Sequence, residues 1–346
     1  MTAETPAEPD FAPAPGHTHE VEYAVTHRIG RVRLNRPKAL NSLTTDMCTS
    51  MLSQLRAWAD DDAVGLVFID GAGEKGLCAG GDVRALRETL LAGDHDAALH
   101  FWREEYALNA LIADYPKPYV AWMDGVVMGG GVGVSSHGSV RLVTERAKVA
   151  MPETIIGLFP DVGGLYYLAH APGELGTHVA LTGLPFGPAD AVVLGLADGV
   201  VAQSDKETVL ADLAAGLEVK PQTAPASDLE AQRGWIDECY AGNDAATILR
   251  RLLEHDESAA RAAGEVIATR SPHSVVVTLE AIRRAADMDV HQVLAQDTKL
   301  GAHFAAHHDF AEGVRALLVD KDHSPRWADA SVADVDRAQV LDAFDK

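Results

Sequence analysis

The chain has 346 residues, 47% of them hydrophobic, which is enough for one large folded domain or two ordinary ones. Acidic residues outnumber basic ones 51 to 29. The resulting net charge of −22 argues against a nucleic-acid or anionic-membrane partner while leaving room for a local anion site. Cys48, Cys78 and Cys239 are widely spaced and form no CxxC pair, the first residues lack the basic and apolar regions of a secretory leader, and no apolar run reaches membrane-span length. Together these features indicate a reducing cytoplasm.

Residues 1–20 carry Pro6, Pro9, Pro13 and Pro15 among Ala, Glu and Thr and read as a disordered tail. Val21 to Asn35 alternates apolar and polar residues around Arg28-Ile-Gly30, the pattern of a β-hairpin. After the loop Arg36–Ser42, Thr44 or Thr45 caps a helix whose apolar face is Met47, Met51, Leu52, Leu55 and Trp58. Val64 to Ile69 is wholly apolar, as in a strand buried on both faces. A glycine-rich turn, Gly71 to Asp82, follows it. Helices are expected from Val83 and from Asp94 to Ala113, the second stopped by Pro116 and Pro118. The strand Pro118–Trp122 runs into Asp124-Gly125 and the glycines 129 to 131, and a helix starts behind them at Val132 to Ser136. Val140–Val143 and Lys148–Ala150 are further strands. Met151 to Gly164 is irregular, punctuated by Pro152, Gly157, Pro160 and Gly163-Gly164. From Leu165 to Leu318 strand signals almost vanish and helical patterns take over, with a surface loop at Lys220–Ser227. The order of elements predicts an α/β core over residues 21–220 and a helical region over 221–346.

Both glycine turns follow a buried strand and precede a helix. If those strands are neighbours, Gly81 and Gly130 each offer a backbone N–H to one oxygen, the arrangement that stabilises an enolate or a tetrahedral acyl intermediate. A dinucleotide site is excluded by the glycine spacing and by the lack of a ribose-binding acid at the expected distance. No G-x-S-x-G surrounds Ser135 or Ser136, which excludes a nucleophile elbow. Glu153 and Asp161 lie in the irregular segment among apolar neighbours, where an acid tends to a raised pKa suited to general acid–base work. Glu104 and Glu105, beside Arg103 in Phe101-Trp-Arg-Glu-Glu-Tyr106, read locally as a solvated helix face, but the apolar repeat Phe101, Trp102, Ala107 and Leu108 turns one acid of the pair inward, and Glu105 is expected to face the pocket. His137 reads as a buried hydrogen-bonding group. No His, Cys and Asp cluster has metal-ligand spacing.

Cys78-Ala-Gly-Gly-Asp82, Asp124-Gly125 with Met128-Gly-Gly-Gly131, and Met151-Pro-Glu153 with Pro160-x-x-Gly-Gly164 together resemble the crotonase (enoyl-CoA hydratase/isomerase) superfamily, from about Val21 to Trp327. Three stretches are similar to its 3-hydroxyisobutyryl-CoA hydrolase branch: Phe101–Tyr106, Met151–Gly164, and His308–Ala316 with Asp320–Trp327. The resemblance implies an α/β crotonase (ClpP-like) spiral of ββα turns ending in a helical region. It also implies an acyl-CoA thioester as substrate, with CoA as part of that substrate and no metal or redox cofactor. It assigns Gly81 and Gly130 to the oxyanion hole, Glu153 to the catalytic glutamate, Asp161 to the hydrolases' second acid and Glu105 to substrate contact. Gly133 is the departure: hydratases of the superfamily carry a second glutamate there, and dienoyl-CoA isomerases an acid. The expected activity is therefore acyl-CoA thioester hydrolysis, with 3-hydroxyisobutyryl-CoA in valine catabolism as substrate; the alternative is an enoyl-CoA hydratase or isomerase of fatty-acid oxidation. Relatives of this kind assemble as trimers or pairs of trimers, so a homo-oligomer is expected.

Overall fold

The computed structural model of the protein describes residues 9–222 and 224–345. The chain opens with the hairpin β1 (Val21–Thr26) and β2 (Ile29–Leu34), turned at His27 and Arg28. Both turn residues have positive φ, 50° and 64°, the backbone twist that suits a two-residue hairpin. Then come α1 (Thr45–Ala59), β3 (Leu66–Gly71), β4 (Gly76–Cys78), α2 (Val83–Leu91) and α3 (His95–Ala113). The next turn holds β5 (Tyr119–Met123), β6 (Val126–Met128) and α4 (Gly130–Ser136). It is followed by β7 (Val140–Thr144), β8 (Lys148–Ala150) and, after helices that include α5 (Gly164–Ala169), by β9 (Gly199–Val201).

These strands form two sheets. The larger has the order β1-β2-β3-β5-β7-β9, parallel except for the hairpin; the smaller has the order β4-β6-β8, all parallel. Each strand β3, β5 and β7 of the large sheet passes its chain directly to the matching strand of the small one. The first two pairs continue into helices, giving the repeated ββα turn of a spiral. Side chains alternate across the large sheet: Val67, Ile69, Ala121 and Met123 join the main core, whereas Phe68, Val120 and Trp122 join a second cluster closed by Val209 and Leu210. Burial on both faces explains the unbroken apolar run in β3. In α1, Thr44 accepts from the Met47 N–H at 3.2 Å, and Met47, Met51, Leu52, Leu55 and Trp58 are all buried. Each such side chain stabilises the fold by about 1.5–3 kcal/mol relative to exposure.

Two features differ from expectation. Residues 1–8 of the anticipated disordered tail lie outside the described residues, but 9–20 run along the sheet edge. Ala12 exchanges backbone hydrogen bonds with Tyr23 at 3.0 and 2.7 Å, and the Phe11 ring stacks under the Arg33 guanidinium 4.0 Å away. The proline spacing obscured one apolar and one aromatic residue that an edge strand can use. The strands β4, β6 and β9 were also unforeseen, because three residues each are too short to show alternation; β4 lies inside the stretch read as a glycine turn.

Asp70, at the end of β3, ties the hairpin to the helix Lys206–Ala214. It is 1% exposed and meets Lys206 at 2.7 Å, Arg31 at 2.9 Å and Arg33 at 3.2 Å. Burial by itself raises its pKa; the three cations more than offset that and hold it below the usual range. A depressed carboxylate contributes stability that is present above the unfolded pKa and lost as pH falls through the folded one. Replacing Asp70 by Ala strands its cations and should destabilise the protein by about 3–5 kcal/mol in chemical denaturation, a deficit that shrinks as the pH is lowered toward 3.

Candidate active site

The small sheet brings three segments to one place. Its strands are adjacent and parallel, so their C-terminal ends point the same way. Strand β4 ends at Cys78 and runs into Gly80-Gly81, β6 ends at Met128 and runs into Gly129-Gly130, and β8 ends at Ala150 and runs into Pro152-Glu153. Gly80, Gly81, Gly129, Gly130, Glu105, Glu153 and Asp161 all line one cavity of about 270 Å³. Its apolar walls are Leu86 and Phe101 from α2 and α3, and Leu317 and Leu318 from the far end of the chain.

The two glycine turns touch. A β-carbon on Gly130 would lie 3.3 Å from the Gly81 nitrogen and 2.4 Å from Glu105 Oε1. Gly129 holds φ at 49°, and a β-carbon there would sit 2.8 Å from Glu153 Oε1. Any side chain at these positions would displace a carboxyl group, so the glycines let two acids lie directly against the backbone. The Gly130 N–H heads α4, where the first amides of a helix have no intrahelical partner. Among the described residues neither it nor the Gly81 N–H donates to another group.

Glu105 is 2% exposed and faces this cavity, whereas Glu104 turns outward to Thr49. The local reading of both as a solvated face therefore fails for Glu105. Along α3, Phe101, Trp102, Glu105, Tyr106, Leu108 and Asn109 form the buried stripe, and the acid falls within it. Glu153 begins a short 3-10 turn, Glu153–Ile156, braced from behind by the helix His308–Val314. Gly157 packs against the Asp309 backbone, and Asp309 itself accepts from Ser271 and from the Ala328 N–H. That bracing is the structural work of the His308–Ala316 stretch.

Asp161 accepts the Tyr106 hydroxyl proton at 2.7 Å. Behind it lies an acid that the sequence reading missed. Asp297, in the helix Val290–Ala306, is fully buried and accepts the Gly163 N–H at 2.8 Å. Its signal was present: Val293, Asp297, Leu300 and Phe304 recur at helical spacing on one buried stripe. Tyr106 was also missed, because an aromatic residue in an apolar stripe reads as core. His137 donates Nε2–H to the Val162 carbonyl at 2.7 Å and accepts from the Tyr167 hydroxyl at Nδ1. Burial lowers its pKa to about 4, so it is neutral, as expected of a hydrogen-bonding histidine.

Among the described residues no cation offsets the acids. Burial, followed by the charge of Asp161, pushes the pKa values of Glu105, Glu153 and Asp297 well above the carboxylate range. Burial pushes Asp161 up to about 6, with the Tyr106 hydroxyl partly opposing the rise. Glu105 Oε1, Glu153 Oε2 and Asp297 Oδ1 have no hydrogen-bond partner among the described residues. The site therefore combines two free backbone donors, a protonatable carboxyl beside them and a second acid of intermediate pKa. Such a set can stabilise an oxyanion and move protons around it. No group of three or more metal-ligating side chains is assembled among the described residues.

Position 133 does not open on the cavity. A β-carbon on Gly133 would lie 2.7 Å from Asn109 Nδ2 and 2.8 Å from Val162 Cβ.

The sequence model of the enoyl-CoA hydratase/isomerase family matches residues 29–344. The 3-hydroxyisobutyryl-CoA hydrolase, mitochondrial, of Danio rerio is 39% identical over 94% of this chain and 89% of its own length. Among solved structures, a carnitinyl-CoA dehydratase from Mycobacterium thermoresistibile superposes with TM-score 0.90 at 48% identity, over 94% of this chain and 96% of its own. An enoyl-CoA hydratase from Rhodobacter sphaeroides 2.4.1 superposes with TM-score 0.91 at 38% identity, over 94% and 97%. The family match over nearly the whole chain and the shared spiral lead to one conclusion: the protein belongs to the enoyl-CoA hydratase/isomerase family, the crotonase superfamily.

Proposed function

We propose that the protein is an acyl-CoA thioester hydrolase acting on 3-hydroxyisobutyryl-CoA in valine catabolism. The observation that carries this reading is the meeting of Glu153 with the Gly81 and Gly130 amides in one apolar cavity, with Asp161, pushed up to about 6, on the same wall. The 3-hydroxyisobutyryl-CoA hydrolase relative supplies the acyl group.

In this mechanism the thioester carbonyl oxygen sits on the two amides, which take up the charge of the tetrahedral intermediate. Glu153 either attacks the carbonyl carbon, expelling the CoA thiolate and leaving an anhydride that water then cleaves, or removes a proton from the attacking water. Both routes consume one water and yield a free acid and the CoA thiol. Asp161 holds the water or relays its proton, and Tyr106 keeps that carboxyl oriented. Glu105, against the Gly130 backbone, contacts the acyl part. CoA belongs to the substrate, and no other cofactor takes part. The buried free cysteines suit a reducing compartment, which we take to be the cytoplasm; the zebrafish relative is named as mitochondrial. Among the described residues no helix is long and apolar enough to cross a membrane. A trimer or pair of trimers fits the family.

Enoyl-CoA hydration is the rival reading, since the two solved neighbours are named a dehydratase and a hydratase. Hydration needs one group to deprotonate water and another to protonate carbon, and position 133 has no room for a second glutamate. Gly133→Glu should therefore gain no hydratase activity. Val162 Cβ cannot swing aside as a flexible side-chain end can, so the variant should lose about 1–3 kcal/mol of stability or more by overpacking. Brisk crotonyl-CoA hydration by the wild-type protein, with no thiol released from 3-hydroxyisobutyryl-CoA, would overturn the hydrolase reading.

Glu153→Gln should lower thiol release by about 10²–10⁴-fold while substrate still binds to the backbone donors. The same variant should melt at a higher temperature at pH 8. A carboxyl whose folded pKa is raised binds its proton more tightly in the folded state, so its contribution falls as pH rises above the unfolded pKa. The amide removes that penalty. For the wild-type enzyme, kcat/KM should climb with pH through about 6 as Asp161 ionises and go on climbing as Glu153, also raised, gives up its proton; a profile flat between pH 5 and 8 would dismiss both acids from the proton path.

A further inference from the structure

The turn that carries Asp161 is unusual in its backbone. Val162 has φ of 54°, in the left-handed region that a β-branched residue avoids. Gly163 follows at 72°, so two successive residues are left-handed. Such a conformation persists only where its surroundings over-determine it. Here the peptide unit between Val162 and Gly163 is held at both ends. Its carbonyl accepts from His137 Nε2 at 2.7 Å, and its N–H donates to Asp297 Oδ2 at 2.8 Å. Gly164 closes the turn by donating to the Asp161 carbonyl at 2.8 Å. The Asp161 side chain is then caught by Tyr106.

We propose that Asp297 is a positioning residue for Asp161: together with His137 it clamps the Val162–Gly163 peptide and so sets the direction in which the Asp161 carboxyl enters the cavity. This rests on the reading of Asp161 as part of the reacting site.

A purely structural role explains the geometry less well. A residue that only accepted the Gly163 N–H would have no need to sit among the reacting acids. Asp297 is instead a fully buried acid near enough to Asp161, Glu153 and the Tyr106 hydroxyl to act on them electrostatically, and among the described residues no cation pairs with it and Oδ1 has no partner. The neighbouring His137 is neutral and offers no compensating charge. Acids packed against one another in this way are a feature of functional sites rather than of stable cores. Burial and Asp161 both favour the protonated acid. In that form Oδ2 is a carbonyl-type acceptor for Gly163, which an asparagine can imitate and a leucine cannot.

The test compares Asp297→Asn and Asp297→Leu, with His137→Phe releasing the same peptide from its other end. All are assayed on whichever acyl-CoA reaction the wild-type enzyme performs, thiol release or enoyl hydration. Failure of the hydrolase reading, seen in the wild-type assay, is thus separate from failure of this one. Asp297→Leu and His137→Phe should each lower kcat by about 10²-fold, the cost of a misplaced catalytic group, with KM within about threefold of wild type. Asp297→Asn should restore kcat to within about threefold. A merely structural residue would change the melting temperature without this split between kcat and KM. If Asp297→Leu does not fold, the kcat of His137→Phe and the rescue by Asp297→Asn decide. Full kcat in either Asp297→Leu or His137→Phe, or an Asp297→Asn variant as impaired as a folded Asp297→Leu, would overturn the proposal.

Discussion

Everything at the site depends on the parallel alignment of β4, β6 and β8. Neighbouring strands in a sheet lie about 4.8 Å apart. Three parallel strands that stop together therefore deliver three chain segments at that interval, side by side. Here those segments carry Gly81, Gly130 and Glu153. The large sheet is buried on both faces, and its strands β3, β5 and β7 hand the chain on to β4, β6 and β8. The small sheet is the ledge on which the large one sets out its donors and its acid. Glycine is required where the segments meet because two carboxyl groups occupy the space that side chains would fill.

The cost of that arrangement is electrostatic. Glu105, Glu153, Asp161 and Asp297 are all buried and no lysine or arginine pairs with any of them among the described residues. Asp70 shows the contrast within the same chain: equally buried, but surrounded by three cations and held ionised. One cluster is held charged and supports the fold; in the other, burial favours the protonated form. The difference lies in the cations each acid has beside it rather than in how deeply it is buried.

Much of the fold was legible because its signals are local. Thr44 caps α1 by the rule that small hydroxyl residues satisfy the first amides, and the apolar run of β3 announced a strand covered on both sides. Gly81, Gly130, Glu153 and Asp161 could be named because glycine turns after buried strands, and acids among apolar residues, are visible within a few positions of each other. The remainder was hidden for a physical reason. Asp297 reaches the site across a helix packing surface, and its local sequence tells only that it lies on a buried stripe. Glu105 was ambiguous because Glu104 beside it faces water, and one residue on a helix turns the side chain by a quarter circle or more. The β9 strand is too short to carry a period.

Leu317 and Leu318 wall the cavity, and the helix His308–Val314 braces the Glu153 turn, though both lie roughly a hundred and fifty positions beyond it in the chain. During synthesis, the spiral and its acids emerge first. They leave the ribosome with the pocket open on one side and its uncompensated carboxyl groups reachable by water. A half-made chain can thus keep those acids hydrated and ionised until the last helices arrive. The wall that completes the pocket is thus made by the last part of the chain to be synthesised.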